Sequence, residues 1–130
     1  MNNTVVLRKS GGFYICFDND AIIIAYLCNY KISNGRVGFP INTINKVTNL
    51  LIDNNINYII KENNNDTEKK KFGKKNKYKY ILDKGKKKID IDYRINGIKD
   101  KINNMNEEDI NNLLNLIEEH IWMILWLLKI

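Results

Sequence analysis

Val5-Val6-Leu7-Arg8-Lys9-Ser10-Gly11-Gly12-Phe13-Tyr14-Ile15-Cys16-Phe17-Asp18-Asn19-Asp20-Ala21 holds two short runs of β-branched and aromatic residues on either side of Ser10-Gly11-Gly12. Thr4 to Lys9 and Gly12 to Phe17 therefore read as adjacent strands joined by a tight turn, because glycine supplies the positive φ that a two-residue hairpin loop requires. Asp18 stands where a helix cap would be, and Ala21, Ile24, Ala25 and Cys28 then fall on one face at helical spacing. The segment predicts a hairpin followed by a helix that packs on it.

Working outward, Tyr30 to Val37 is expected to form a third strand, with Asn34-Gly35 as a turn signal and Gly38-Phe39-Pro40 breaking the pattern. Ile44, Val47, Leu50 and Leu51, with Asn54 at the next turn, follow the helical period up to Asp53-Asn54-Asn55, and Ile56 to Ile60 reads as a buried strand. Residues 63 to 76 are rich in asparagine and lysine with little to bury, so a mobile loop is expected. Lys77 to Leu82 and Lys88 to Ile95 alternate around Asp83-Lys84-Gly85, which predicts a second, basic hairpin. Four segments result: an α/β core over residues 1–62, the polar loop over 63–76, the basic hairpin over 77–105 that completes the domain, and a C-terminal helix over 106–130.

That last helix opens on Asn106-Glu107-Glu108-Asp109, a cap followed by acids that suit a helix N-terminus. Ile110, Leu114, Ile117, Ile121, Ile124 and Leu128 are spaced 4, 3, 4, 3 and 4 residues apart, a heptad seam. Trp122, Leu125 and Trp126 cover the remaining side, so the final turns are apolar all round and must be enclosed by their own domain, by a partner or by lipid. Ile121 to Leu128 is too short to span a bilayer. Dimerisation or partner docking through Ile117, Ile121, Trp122, Ile124, Leu125, Trp126 and Leu128 is the expectation, because monomers avoid exposing apolar patches of this size.

Charge is unevenly placed. Of 21 Lys+Arg and 15 Asp+Glu, residues 61–100 hold 14 and 7, and a localised positive surface favours polyanions through counterion release. A solvated lysine-rich loop is the competing reading. Cys16 and Cys28 have no histidine near them, so reduced, buried thiols are expected rather than a zinc site or a disulfide. The N-terminus lacks the apolar stretch of a signal peptide, which predicts a cytoplasmic location.

The opening stretch resembles the mismatch-recognition domain at the N-terminus of the MutS family of DNA repair proteins. That family's motif is written G-D-F-Y-E-x-F-x-x-D-A, and Gly11, Phe13, Tyr14, Phe17, Asp20 and Ala21 match it without a gap. Gly38-Phe39-Pro40, a helix, and Ile56 to Glu62 resemble the family's Gly-Ile/Val-Pro, helix and strand. The resemblance covers roughly residues 4–62 and implies an α/β (α+β) fold, a mixed sheet flanked by helices. It also implies that Phe13 stands at the position of a wedge that stacks on a mispaired or unpaired base in a kinked duplex. The family's hydrogen-bonding Glu is replaced by Ile15, which makes no such bond to a base edge.

A non-enzymatic, nucleic-acid-associated binding protein is therefore expected, without cofactor, metal or catalytic residues. Asp18 and Asp20 read as a cap and a dipole partner, His120 has no nucleophile placed beside it, and there is no Walker-type phosphate loop in these residues. Phe13 and Tyr14, with Arg8, Lys9, Arg36, Lys69, Lys70, Lys71, Lys74, Lys75, Lys86, Lys87 and Lys88, are the candidate contacts to duplex DNA or RNA or to a nucleoprotein complex. The plain alternative is that Phe13 and Phe17 share one strand face and Tyr14 the other for structural reasons alone. A second functional class is a small phage or mobile-element interaction protein that inhibits a nucleoprotein machine such as a CRISPR effector through a protein contact.

Overall fold

Strand β1 (Val5–Ser10) and strand β2 (Phe13–Phe17) form the expected hairpin, closed by Gly11-Gly12 with Gly11 at φ 58°. Helix α1 (Asp18–Cys28), strand β3 (Arg36–Pro40), helix α2 (Ile44–Asp53), strands β4 (Tyr58–Glu62) and β5 (Asn65–Lys70), and helices α3 (Tyr78–Asn103) and α4 (Glu107–Leu128) follow in a computed structural model that describes residues 3–129. The chain divides into two compact units, Met1–Asp90 and Ile91–Ile130.

In the first unit the five strands form one mixed sheet in the order β3-β2-β1-β4-β5. Only β1 and β4 run parallel, with Val5 opposite Tyr58 and Leu7 opposite Ile60. A parallel pair needs a crossover, and here α1, β3 and α2 supply it. Val5, Leu7, Tyr14, Cys16, Val37, Phe39, Tyr58 and Ile60 alternate to one side of the sheet and join Ala21, Ile23 and Ile24 of α1 and Val47 and Leu51 of α2 in a single core. Each aliphatic side chain fully buried there contributes about 1.5–3 kcal/mol. Cys16 and Cys28 are free thiols, and burial pushes Cys16 up to about 12, which keeps it a protonated core residue.

Four local expectations need correction. Asp18 does not cap α1: it is the first helical residue, at φ 54°, and its amide donates to the Gly35 carbonyl at 2.7 Å. The third strand lies later than expected and includes Gly38-Phe39-Pro40, because Val37 and Phe39 alternate into the core opposite Cys16 and Tyr14. Pro40 ends an edge strand, where a missing N–H leaves no partner unsatisfied. The expected loop over residues 63–76 contains β5, paired with β4 through an Asn63-Asn64 turn in which both residues have positive φ. That is the backbone of a type I′ hairpin, which asparagine tolerates. The whole strand is exposed and lysine-bearing, as befits a sheet edge that must not pair with other chains.

The fourth correction is the largest. The basic hairpin over residues 77–105 is instead the 26-residue helix α3. Tyr78, Ile81, Leu82 and Gly85 are its buried residues, spaced 3, 1 and 3 apart as one helical face requires. Gly85 belongs to no turn. An added Cβ there would lie 2.7 Å from Ile22 Cγ2 and 3.3 Å from the Ile22 carbonyl oxygen, so glycine lets α3 press against α1.

Gly85→Leu is expected to lower stability by about 1–3 kcal/mol, since the clash with Ile22 outweighs the gain in helix propensity. Gly97→Ala, where an added Cβ meets nothing within 4 Å, is expected to raise the stability of α3 by up to about 1 kcal/mol. Urea titration followed by circular dichroism measures both, and a pair of changes with the same sign contradicts this packing.

Candidate nucleic-acid interface

The sheet has a second face, and β2 decides what it carries. Because side chains alternate, Tyr14 and Cys16 enter the core while Phe13, Ile15 and Phe17 point the other way. Phe13 is 51% exposed and Phe17 46%, whereas Tyr14 is 7% exposed and its hydroxyl donates to Glu62 at 2.9 Å. Two half-exposed phenylalanines about 13 Å apart along one strand are an apolar platform, not a core contribution.

Register fills in the rest of this face. Ile15 lies opposite Gly38 and Arg8, and Arg8 lies opposite Lys61, which faces Asp66, so one row crosses all five strands. Phe17 stands opposite Arg36, and Phe13 opposite Pro40. Arg8 and Arg36 are both exposed and share the face with the two phenylalanines. Lys61 bonds Asp66 at 3.0 Å, with Lys69 at 3.9 Å from the same carboxylate.

The remaining sequence-derived candidates divide by position. Lys9 alternates to the core side, 3.9 Å from Glu62. Lys70 pairs with Tyr58 and so also faces away from Arg8. Tyr14, grouped with Phe13 from the sequence, is withdrawn from the surface altogether, because an odd-numbered partner and an even-numbered one cannot share a strand face. Lys71, Lys74 and Lys75 lie between β5 and α3, the latter two in a 3-10 turn, and Lys86, Lys87 and Lys88 lie on α3, outside the sheet. The C-terminal set Ile117, Ile121, Trp122, Ile124, Leu125, Trp126 and Leu128 is exposed throughout. Among the described residues no helix is long and apolar enough to cross a membrane.

The sequence reading made Asp20 a dipole partner at the helix start, and the structure gives it a larger part. Asp20 accepts from the Val6 amide at 3.1 Å and from the Tyr78 hydroxyl at 2.6 Å, so a single carboxylate ties β1, α1 and α3 together. It stands beside an open groove of about 330 Å³ lined by Val6, Arg8, Phe17, Asp18, Asn19 and Asp20. Burial raises its pKa, the Tyr78 hydroxyl and Val6 amide oppose the rise, and the Asp18 carboxylate adds to it. The Tyr78 hydroxyl is raised in turn, by burial and then by Asp20. The only hint in the sequence was the match of Asp20 to a family motif position, since a hydrogen bond between residues 20 and 78 leaves no local pattern.

The family model for MutS domain I matches residues 1–90, the same span as the first compact unit. No curated protein matches the chain.

A raised folded-state pKa means that Asp20 contributes most to stability below the ordinary carboxylate value, and that this contribution is lost as pH rises through its folded pKa. The stability difference between the natural protein and Asp20→Asn is therefore expected to shift in favour of the natural protein as pH falls from neutral toward about 4. Urea midpoints taken across that range measure it, and two parallel profiles contradict the assignment.

Proposed function

The chain belongs to the MutS domain I family, and we propose that it is a nucleic-acid-associated binding protein that docks the open face of its sheet on duplex DNA. The observation that carries this reading is Phe13, half exposed at the start of β2 on the face that also holds Arg8 and Arg36. Phe13 inserts at a weakened base step, where unstacking costs a few kcal/mol and costs least beside a mispaired or unpaired base. Arg8 and Arg36 contact the flanking phosphates, which position the protein without reading sequence. Lys69, Lys71, Lys74 and Lys75 extend the phosphate-contacting surface.

Ile15 shapes the specificity. It lies two residues from Phe13 on the same face, where the family motif has Glu, and it can neither accept nor donate a hydrogen bond. Discrimination then comes from how easily the step opens rather than from the identity of the mispaired base.

Fluorescence anisotropy with a perfect duplex, a G·T mispair and a duplex carrying one unpaired thymine tests the proposal. Binding is expected to be strongest to the unpaired base and to fall steeply with salt. Phe13→Ala is expected to remove most of the preference for the unpaired base, and Arg8→Ala and Arg36→Ala to weaken all three duplexes and to reduce the salt slope by about one each. Absence of binding at low salt, or a Phe13→Ala protein with its preference intact, overturns this reading.

A further inference from the structure

The second compact unit holds the end of α3 and all of α4, and neither buries its apolar residues. The buried residues of α3 stop at Gly85, and α4 has none. Yet both carry seams. Ile91, Ile95, Ile98, Ile102 and Met105 are spaced 4, 3, 4 and 3 apart, and Ile110, Leu114, Ile117, Ile121, Ile124 and Leu128 continue with 4, 3, 4, 3 and 4. A mean period of 3.5 residues keeps a seam turned toward a partner helix in a left-handed bundle. Two such seams, largely open to solvent with Ile95 at 44% and Ile124 at 52% exposure, require an occupant.

Charge says which one. From Lys86 to Lys101, α3 carries six basic residues and three acidic ones, a net +3, while Glu107 to Leu128 carries five acidic residues and no lysine or arginine, a net −5. Helices of like charge repel and those of unlike charge attract, so the neighbour that suits the apolar seam of a basic helix is the apolar seam of an acidic one. Within one chain the two seams leave each other open to solvent, so a second copy supplies that neighbour.

We propose that the protein self-associates through this helix pair as a two-fold dimer in which α3 of each copy lies parallel to α4 of the other, forming a four-helix bundle. Lengths support the register. α4, with 22 residues, spans about 33 Å, and the stretch of α3 from residue 86 to its end spans about 27 Å. When the connections between the helices point in opposite directions, the acidic first turn of α4 (Glu107, Glu108 and Asp109) comes level with Lys86 and Lys87 of the second copy. The apolar end around Ile121, Ile124 and Leu128 comes level with Ile98, Ile102 and Met105. Both matches arise from one arrangement, since a two-fold axis makes every contact twice.

Sedimentation equilibrium of the full chain, without nucleic acid, tests the proposal. The natural protein is expected to sediment as a dimer at micromolar concentration, and Ile117→Glu with Ile121→Glu to be monomeric with the sheet unit still folded by circular dichroism. Reversal of charge on one side, Glu107→Lys with Glu108→Lys, is expected to weaken association about tenfold, and Lys86→Glu with Lys87→Glu to do the same. The four changes together are expected to restore it, a rescue that unspecific apolar clustering would not give. A natural protein that stays monomeric, a fourfold variant weaker than either pair, or binding of the monomer to phosphatidylcholine vesicles in place of dimerisation overturns the proposal. None of these results depends on nucleic-acid binding.

Discussion

Everything the sheet presents to its surroundings follows from the two-residue period of β2 between its neighbours. Val37 and Phe39 hold Cys16 and Tyr14 in the core from one side, and β1 fixes the register from the other through the tight Gly11-Gly12 turn. With those two residues committed inward, Phe13, Ile15 and Phe17 have no choice of side. A slip of one residue would bury the phenylalanines and expose a thiol and a tyrosine hydroxyl that now bonds Glu62. The aromatic platform is thus a by-product of core packing, held in place by interactions on the face opposite to it.

The same logic ties charge to fold. Asp20 sits where α1 leaves the sheet and draws in the Val6 amide and the Tyr78 hydroxyl, so the first turn of α3 is anchored to the strand that carries Arg8. Gly85 then lets the helix lie against Ile22. The cost is a carboxylate partly removed from water, offset only in part by two hydrogen bonds to its charged form. On the opposite edge, the Tyr58 hydroxyl donates to Glu68 and Lys61 pairs with Asp66, which holds a strand that buries nothing of its own.

How much of this was legible depended on whether burial left a periodic trace. The β1–β2 hairpin, both early helices, β4 and the Asn106 cap of α4, whose side chain accepts from the Asp109 amide at 2.8 Å, all write their partners into local spacing. The exposure of Phe13 on the face opposite Tyr14 was equally legible, through strand alternation. β5 was not, because its six residues are all exposed and its stability comes from backbone pairing with β4 and from cross-strand contacts that composition does not reveal. α3 misled for a different reason. Ile89, Ile91, Tyr93 and Ile95 alternate as a strand would, and Asp83-Lys84-Gly85 imitates a turn, while the helical face that decides the matter is only the short set Tyr78, Ile81, Leu82 and Gly85. Tyr14 was misassigned by proximity in sequence, although alternation alone separates it from Phe13.

The central claim is that nucleic acid meets the face of β2 that bears Phe13. Backbone amide chemical-shift mapping of the full chain during titration with a duplex carrying one unpaired base tests it most directly. The account predicts the largest changes at Arg8, Phe13, Ile15, Phe17 and Arg36, with little change at the α2 residues Val47 and Leu51, which pack beneath the sheet. Shifts confined to α4, or to the lysines of α3 with β2 undisturbed, would contradict it.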